Sequence, residues 1–124
     1  MNRAAVEQWI AGYERLWRTP GTEGLGELFT EEASYSPSPW AEAVFGLDAI
    51  GRFWGAERVS ADEKFDLRAE VVAIEGDTAV VRVAVDYLTT GNRWRDLWVI
   101  AFADDGRCRA FEEWPFAPDQ PDGH

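Results

Sequence analysis

Two acidic residues near the C-terminal end, Asp96 and Glu112, are the side chains of this 124-residue chain best placed for acid–base chemistry. They occur in segments that are otherwise largely apolar, and a carboxyl group on an apolar face loses hydration unless it is paired. Lost hydration and a second carboxylate nearby both raise the pKa of a carboxyl group, which suits it to exchange protons near neutrality. Tyr87, on a neighbouring segment, adds a hydroxyl group that can donate a hydrogen bond to Asp96 or to a ligand oxygen.

Four segments in the C-terminal half predict the strands that would bring these groups together. They are rich in Val, Trp and Phe, they alternate in polarity, and Gly-containing turns separate them. The close spacing of the turns predicts a meander of antiparallel hairpins over residues 65–74, 78–90, 93–103 and 107–116.

The lengths of two turns set the register of these strands, and with it the face on which each side chain lies. A two-residue loop at 91–92 places Tyr87 opposite Asp96. A three-residue loop at 104–106, with its glycine left-handed, makes Asp96 and Glu112 diagonal neighbours on one face. That face then carries the two acids among Val81, Val83, Val85, Tyr87, Trp94, Trp98, Ile100, Phe102, Cys108, Ala110 and Trp114.

The last hairpin leaves a second register open. A slip of one residue replaces Glu112 by Glu113 on the apolar face, and it replaces Trp114 by Phe111. The acids also have a purely structural interpretation, in which a strand-end carboxylate reaches solvent or binds a buried Arg. On the opposite, mixed face, Asp86 lies close enough to Arg95 to pair with it.

The N-terminal half predicts the helices that cover the apolar face. A first helix ends at the turn of residues 19–21, a short helix and a short strand at 33–35 follow, and a third helix begins after Gly46. Helices followed by an antiparallel sheet predict an α+β fold. The apolar faces of the three helices are Val6, Trp9, Ile10, Tyr13, Leu16 and Trp17; Leu25, Leu28 and Phe29; and Leu47, Ile50, Phe53 and Trp54.

Length and charge narrow the classes of function. A chain of 124 residues predicts a single domain, residues 1–118, with a polar tail at 119–124. The net charge of −11 argues against nucleic acid and anionic membranes as partners. No apolar run approaches about 18 residues, and the first residues are amphipathic rather than signal-like, so we expect a cytoplasmic protein.

Metal and nucleotide cofactors are not predicted. His124 is the one histidine and is terminal, and Cys108 is the one cysteine, so neither has a partner for a metal site or an activated nucleophile. No glycine-rich phosphate-binding motif is present. The predicted partner is instead a small-molecule ligand.

The order and spacing of five segments give the chain a family resemblance. It resembles SnoaL-like domains of the nuclear-transport-factor-2-like (NTF2-like) superfamily over roughly residues 5–116. The segments that carry the resemblance are residues 28–35 (LFTEEASY), 46–54 (GLDAIGRFW), 75–82 (EGDTAVVR), 102–107 (FADDGR) and 112–114 (EEW).

The resemblance implies a curved antiparallel sheet wrapped around the helices as a cone. It implies a homodimer formed through the sheet, which would place Leu97, Val99 and Phe111 of the mixed face at the interface. It also implies an apolar pocket between the concave face and the helices. The aromatic side chains expected to bind a ligand there are Tyr13, Trp17, Trp40, Trp54, Trp98 and Trp114, with Trp40 capping the mouth.

Two functions stay open, because a fold of this kind hosts both enzymes and binding domains. In the first, the cone binds a small apolar or cyclic metabolite. Asp96 or Glu112 then catalyses isomerisation, cyclisation or dehydration as general acid or base, with Tyr87 as hydrogen-bond donor. In the second, the protein is a non-catalytic dimeric scaffold or ligand sensor. A cavity of roughly 300–1,000 Å³ would count against a merely packed interior.

Overall fold

The computed structural model describes residues 1–58 and 63–120, and within them two α-helices, a short 3-10 helix and six strands. The predicted α+β class is confirmed. Of the predicted tail, residues 121–124, with His124 among them, lie outside the described residues. The elements in chain order are α1 (Arg3–Trp17), the 3-10 helix (Glu23–Glu27), β1 (Phe29–Ser36), β2 (Val44–Phe45), α2 (Leu47–Glu57), β3 (Phe65–Glu75), β4 (Thr78–Tyr87), β5 (Arg93–Phe102) and β6 (Cys108–Phe116).

The six strands form one open sheet in the order β2-β1-β6-β5-β4-β3. The predicted meander of β3 to β6 is present, and β2 pairs antiparallel with β1. The contact between β1 and β6 is parallel, which turn lengths could not predict because no hairpin joins these strands. Irregularities in β1, β3 and β6 bend the sheet, since a residue added to one strand of a pair increases its local curvature.

Helix α1 packs into the concave face of the sheet. The Asn2 side chain caps its first turn by accepting a hydrogen bond from the backbone N–H of Ala5 at 2.9 Å. Inside, the indole N–H of Trp9 donates to the carbonyl of Leu28 at 2.9 Å. Gly12 permits this close approach, because a Cβ there would lie 3.0 Å from the Leu28 side chain.

Aromatic rings make up much of the core between the helices and the sheet. The ring of Phe111 stacks on Tyr35 with centroids 4.8 Å apart and meets Trp98 edge-on at 5.3 Å. Tyr13 of α1 lies 4.5 Å from the Trp98 ring and 5.0 Å from that of Trp54 on α2. Each such pair adds roughly 0.5–1.5 kcal/mol beyond the burial of its surface, so these contacts tie both helices to the sheet.

The connection between β4 and β5 is longer than predicted. It spans residues 88–92 rather than two residues, and the backbone N–H of Tyr87 donates to the Asn92 carbonyl at 2.8 Å. Val83, and not Tyr87, therefore lies opposite Asp96. The predicted register was wrong by an even number of residues, so each side chain of β4 and β5 keeps its predicted face.

The last hairpin begins as predicted and then shifts by one residue. Ala103 lies opposite Arg107, and its backbone N–H donates to the Arg107 carbonyl at 2.8 Å. Phe102 pairs with Cys108. Arg109 is then an extra residue, because Ala101 pairs with Ala110. From there to the end of β6, each side chain lies on the face opposite to the one predicted from the turn alone.

The shift moves five side chains to the face opposite to the predicted one: Ala110, Phe111, Glu112, Glu113 and Trp114. Glu113 and Phe111 point into the interior, whereas Glu112 and Trp114 lie on the outer face, where the Trp114 indole donates to Glu112 at 2.7 Å. The physical cause is that Cys108 and Phe111 are both buried, and two residues three apart share a face only across a bulge.

The outer face differs from the predicted dimer surface in one residue. Phe111 is buried inside, while Leu97 remains partly exposed beside Trp114, its partner on β6. The predicted pair on this face is confirmed, since Arg95 contacts Asp86 at 3.0 Å. Dimerisation itself stays a prediction.

Replacing Phe111 and Trp114 in turn by alanine tests the register shift. Phe111 is 1% exposed among five other aromatic rings, so Phe111→Ala should lower the free energy of unfolding by about 3–5 kcal/mol. Trp114 is 40% exposed, and Trp114→Ala should cost about 1 kcal/mol or less. Urea unfolding measures both, and a larger loss for Trp114→Ala would contradict this register.

Candidate functional site

A cavity of about 450 Å³ lies between the concave face of the sheet, the C-terminal end of α1 and α2. Its volume falls within the range of small-molecule sites. The residues that line it are mostly aromatic or acidic: Tyr13, Trp17, Tyr35, Pro37, Phe53, Glu57, Arg58, Glu63, Phe65, Leu67, Val85, Tyr87, Thr90, Asn92, Trp94, Asp96, Trp98, Glu113 and Pro115.

Two carboxyl groups meet on the sheet wall of this cavity. Asp96 on β5 lies opposite Pro115, and Glu113 on β6 lies opposite Trp98, which makes the two acids diagonal neighbours on the inner face. The indole N–H of Trp98 donates to Oε2 of Glu113 at 3.0 Å. Asp96 is only 8% exposed, and its Oδ1 has no hydrogen-bond partner in the described part of the chain.

The environment raises the pKa of both acids. Burial raises the pKa of Asp96 to about 6, against the opposing effects of a hydrogen bond from Glu113 and the charge of Arg95. Burial also raises the pKa of Glu113 well above its usual value, and the neighbouring Asp96 charge raises it further. At neutral pH these shifts favour a protonated Glu113 beside an ionised Asp96, which gives the site one acid and one base.

Three tyrosines also line the cavity. The hydroxyls of Tyr13 and Tyr35 lie 3.4 Å apart, and the Tyr87 hydroxyl accepts a hydrogen bond from the Trp17 indole at 3.0 Å. Burial is the main cause that raises the pKa of all three groups. The hydroxyls consequently keep their protons at neutral pH and remain hydrogen-bond donors.

Charged residues from α2 and the segment before β3 complete the lining. Glu57 and Glu63 contribute two further carboxyl groups, and Oε1 of Glu63 is buried without a hydrogen-bond partner among the described residues. Arg58 turns its guanidinium toward the end of α1, donating to the carbonyls of Thr19 at 2.6 Å and Gly21 at 2.7 Å. Its positive charge therefore stabilises the carbonyl groups just beyond the C-terminal end of α1.

The structure brings five of the nine predicted site residues to the cavity wall: Tyr13, Trp17, Tyr87, Asp96 and Trp98. Trp54 lies behind that wall, fully buried, 4.8 Å from the Trp17 ring. Trp40 is 99% exposed in the loop after β1 and caps nothing, so its predicted position was wrong. Glu112 and Trp114 are on the outer face because of the bulge.

The turn length alone predicts Glu112 as the second acid, and it places Glu113 on the inner face only after a slip of one residue. The signal for the slip is the spacing of Cys108 and Phe111, two residues typical of interiors that stand three apart instead of two or four. Glu57, Glu63 and Tyr35 were missed altogether. They come from elements outside the meander, and no pattern in the sequence fixes how those elements meet the sheet.

The described residues offer little for metal or thiol chemistry. Within residues 1–58 and 63–120, no group of three His, Cys, Asp or Glu side chains is arranged to hold a metal ion. Burial raises the pKa of the Cys108 thiol to about 12, which leaves it unreactive. In the same segments no helix has the length and apolar character needed to cross a lipid bilayer.

The fold and the sequence pattern identify the class of protein. The pattern that defines the SnoaL-like domain matches residues 6–111, which is most of the chain. The chain therefore belongs to the SnoaL-like domain family, and its open curved sheet around two helices is the cone fold of NTF2-like proteins. No curated protein matches it in a sequence comparison.

Solved structures with the same fold include enzymes and proteins without a known role. SalBIII, an epoxide hydrolase/cyclase-like enzyme in pyran ring formation in the polyether salinomycin, is 15% identical over 89% of each chain, with a TM-score of 0.68. A candidate ketosteroid isomerase from Kribbella flavida DSM 17836 is 18% identical over 92% of this chain and 76% of its own, with a TM-score of 0.68. An NTF2-like protein of unknown function from Mesorhizobium loti is 21% identical over 94% of this chain and 95% of its own, also at 0.68. At these identities the likeness establishes the fold.

The raised pKa values predict how stability depends on pH. The folded state binds more protons than the unfolded state between about pH 4 and the folded pKa values, so these two acids make stability fall as pH rises through about 6. Asp96→Asn removes one carboxyl group and also the neighbouring charge that raises the pKa of Glu113. It should therefore reduce this loss of stability. Urea unfolding at about pH 5 and about pH 8 measures it.

Glu112→Gln is the matched control, because it removes a carboxylate from the outer face of the same strand pair. It should leave the fall in stability unchanged. An equal fall in the unmodified protein and in Asp96→Asn would contradict the assigned pKa of Asp96.

Proposed function

We propose that the protein is an enzyme that transfers a proton to and from carbon on a small, largely apolar cyclic metabolite. The observation that carries the proposal is the acid–base pair of Asp96 and Glu113 on the wall of a 450 Å³ aromatic cavity. Isomerisation, cyclisation and dehydration next to a carbonyl group all begin with removal of such a proton, so the pair supports this class rather than one reaction within it.

The two acids take different roles. Asp96 is ionised at neutral pH, has one oxygen without a hydrogen-bond partner, and is the general base. Glu113 holds a proton and is the general acid that can return it to another atom of the substrate. The hydrogen bond from Trp98 fixes the Glu113 carboxyl group, so that the pair does not have to reorganise during the transfer.

The remaining walls supply binding and charge stabilisation. Rings of Trp17, Trp94 and Trp98 present apolar faces on which a cyclic ligand can pack. Tyr35 and Tyr87 keep their hydroxyl protons and can donate to an oxygen on which negative charge develops. The volume of the cavity weighs against the non-catalytic alternative, in which the interior is solidly packed. SalBIII provides an example of an enzyme in ring formation with this fold.

Exchange of carbon-bound protons tests the proposal without knowledge of the natural substrate. The unmodified protein should accelerate the exchange of the α-protons of β-tetralone with heavy water above the buffer rate, as followed by proton NMR. Asp96→Asn should slow this catalysed exchange by about 100-fold or more, because removal of a general base costs at least that factor.

Glu112→Gln is again the matched control and should keep the catalysed rate within about twofold, since its carboxylate lies outside the cavity. Amide NMR spectra establish that the variants are folded. If Asp96→Asn and Glu112→Gln exchange β-tetralone at the same rate, or if the unmodified protein does not exceed buffer, the catalytic assignment is wrong.

A further inference from the structure

The cavity has an excess of acidic groups that the proton transfer alone does not require. Asp96, Glu57, Glu63 and Glu113 line it, and Arg58 is the one basic side chain that the described residues contribute to the lining. Four carboxyl groups therefore share the lining with one guanidinium. None of the four acids takes part in a salt bridge within residues 1–58 and 63–120.

The single guanidinium does not neutralise these acids. Arg58 donates to the carbonyl oxygens of Thr19 and Gly21 in the turn after α1, and its Cζ lies 5.6 Å from the ring centre of Trp17 and 5.9 Å from that of Trp54. The arrangement directs the charge of Arg58 toward backbone and aromatic groups. It also places a cation beside the ring of Trp17, which lines the cavity.

A second observation points to a missing donor in the cavity itself. Asp96 is more than nine-tenths buried and lines the cavity, yet its Oδ1 accepts no hydrogen bond in the described part of the chain. Oε1 of Glu63, in the same lining, is also buried without a partner there. A buried carboxylate oxygen without a donor is costly, and a ligand that brings an N–H group would remove this cost.

From these observations we propose that the ligand of the cavity is an organic cation, a cyclic or aromatic molecule that carries a protonated primary or secondary amine. The ammonium group donates to Oδ1 of Asp96, and the aromatic walls pack against the ring and the charge. An anionic molecule is disfavoured, since it would face a lining with four acidic side chains and one basic one among the described residues. This inference uses the same cavity as the proposed function and goes beyond it, because an ammonium group on Oδ1 of Asp96 occupies the oxygen of the general base and so makes the cation a ligand that competes with proton removal.

Three probes with one carbon skeleton test the charge of the ligand. Phenylbutylamine, phenylbutanol and phenylbutyrate present an ammonium, a hydroxyl and a carboxylate group at the same position. Calorimetric titration of the unmodified protein should give a dissociation constant for the amine about tenfold or more below that of the alcohol. The carboxylate should not bind measurably. The indole NMR signals of Trp17 and Trp98 should shift with the amine, because both rings line the cavity.

Two variants separate contact in the cavity from general attraction to an acidic protein. Asp96→Asn should weaken binding of the amine by about tenfold and leave the alcohol unchanged. Glu112→Gln removes the same charge from the outer face and should leave both affinities unchanged. An equal loss in both variants would overturn the inference, because the attraction would then be non-specific.

The outcomes distinguish this inference from the proposed function. If the alcohol or the carboxylate binds as tightly as the amine, the ligand class is wrong, while proton exchange by Asp96 is unaffected. If none of the three probes binds, the inference is also overturned. If the amine is preferred but β-tetralone is not exchanged, the cavity is an organic-cation site without the proposed catalysis.

Discussion

The candidate site depends on the burial of two carboxyl groups, Asp96 and Glu113, side by side on the apolar inner face of the sheet. Water would hydrate both groups if they were exposed, and each charge in the interior costs several kcal/mol after relaxation. Asp96 and Glu113 limit this cost by sharing one proton, with the Trp98 indole as a further donor. Burial of the pair therefore lowers the stability of the folded state, and the rest of the fold has to compensate for this cost. Such costs are common at functional sites.

The aromatic core provides that support. Rings from both helices and from the sheet contact one another around Trp98, so the side chain that orients Glu113 is itself held by Trp9, Tyr13 and Phe111. A densely packed core allows little rearrangement, and the cavity that holds the pair borders this core on Tyr13 and Trp98. Rigid packing of Trp98 behind Glu113 and open space in the cavity let the pair meet a ligand without distortion of the fold.

Much of the fold could be predicted from the sequence, because periodicity and turn residues act locally. The spacing of Val6 to Trp17 indicates α1, and left-handed Gly106 gives the last hairpin its three-residue turn. The face of Asp96 was predicted for the same reason: the error in the β4–β5 loop was an even number of residues, so its side chain stayed inside.

The site could be predicted only in part, because its second acid depends on a single residue of register. A turn sets where a hairpin starts, whereas the bulge at Arg109 arises from the need to bury both Cys108 and Phe111. That bulge moves Glu112 out and Glu113 in. Long-range packing, which leaves no local pattern, decides the rest of the lining, such as Glu63 and Tyr35.

The proposed acid–base pair requires Glu113 to be protonated at neutral pH. Infrared spectroscopy of the protein at about pH 7 detects the carbonyl stretch of a protonated carboxyl group, and isotopic labelling of glutamate carboxyls tells it apart from that of aspartate. We expect one such band, whose frequency shifts with the glutamate label and which disappears in Glu113→Gln. A neutral-pH spectrum without a protonated glutamate band would contradict the proposed acid–base pair.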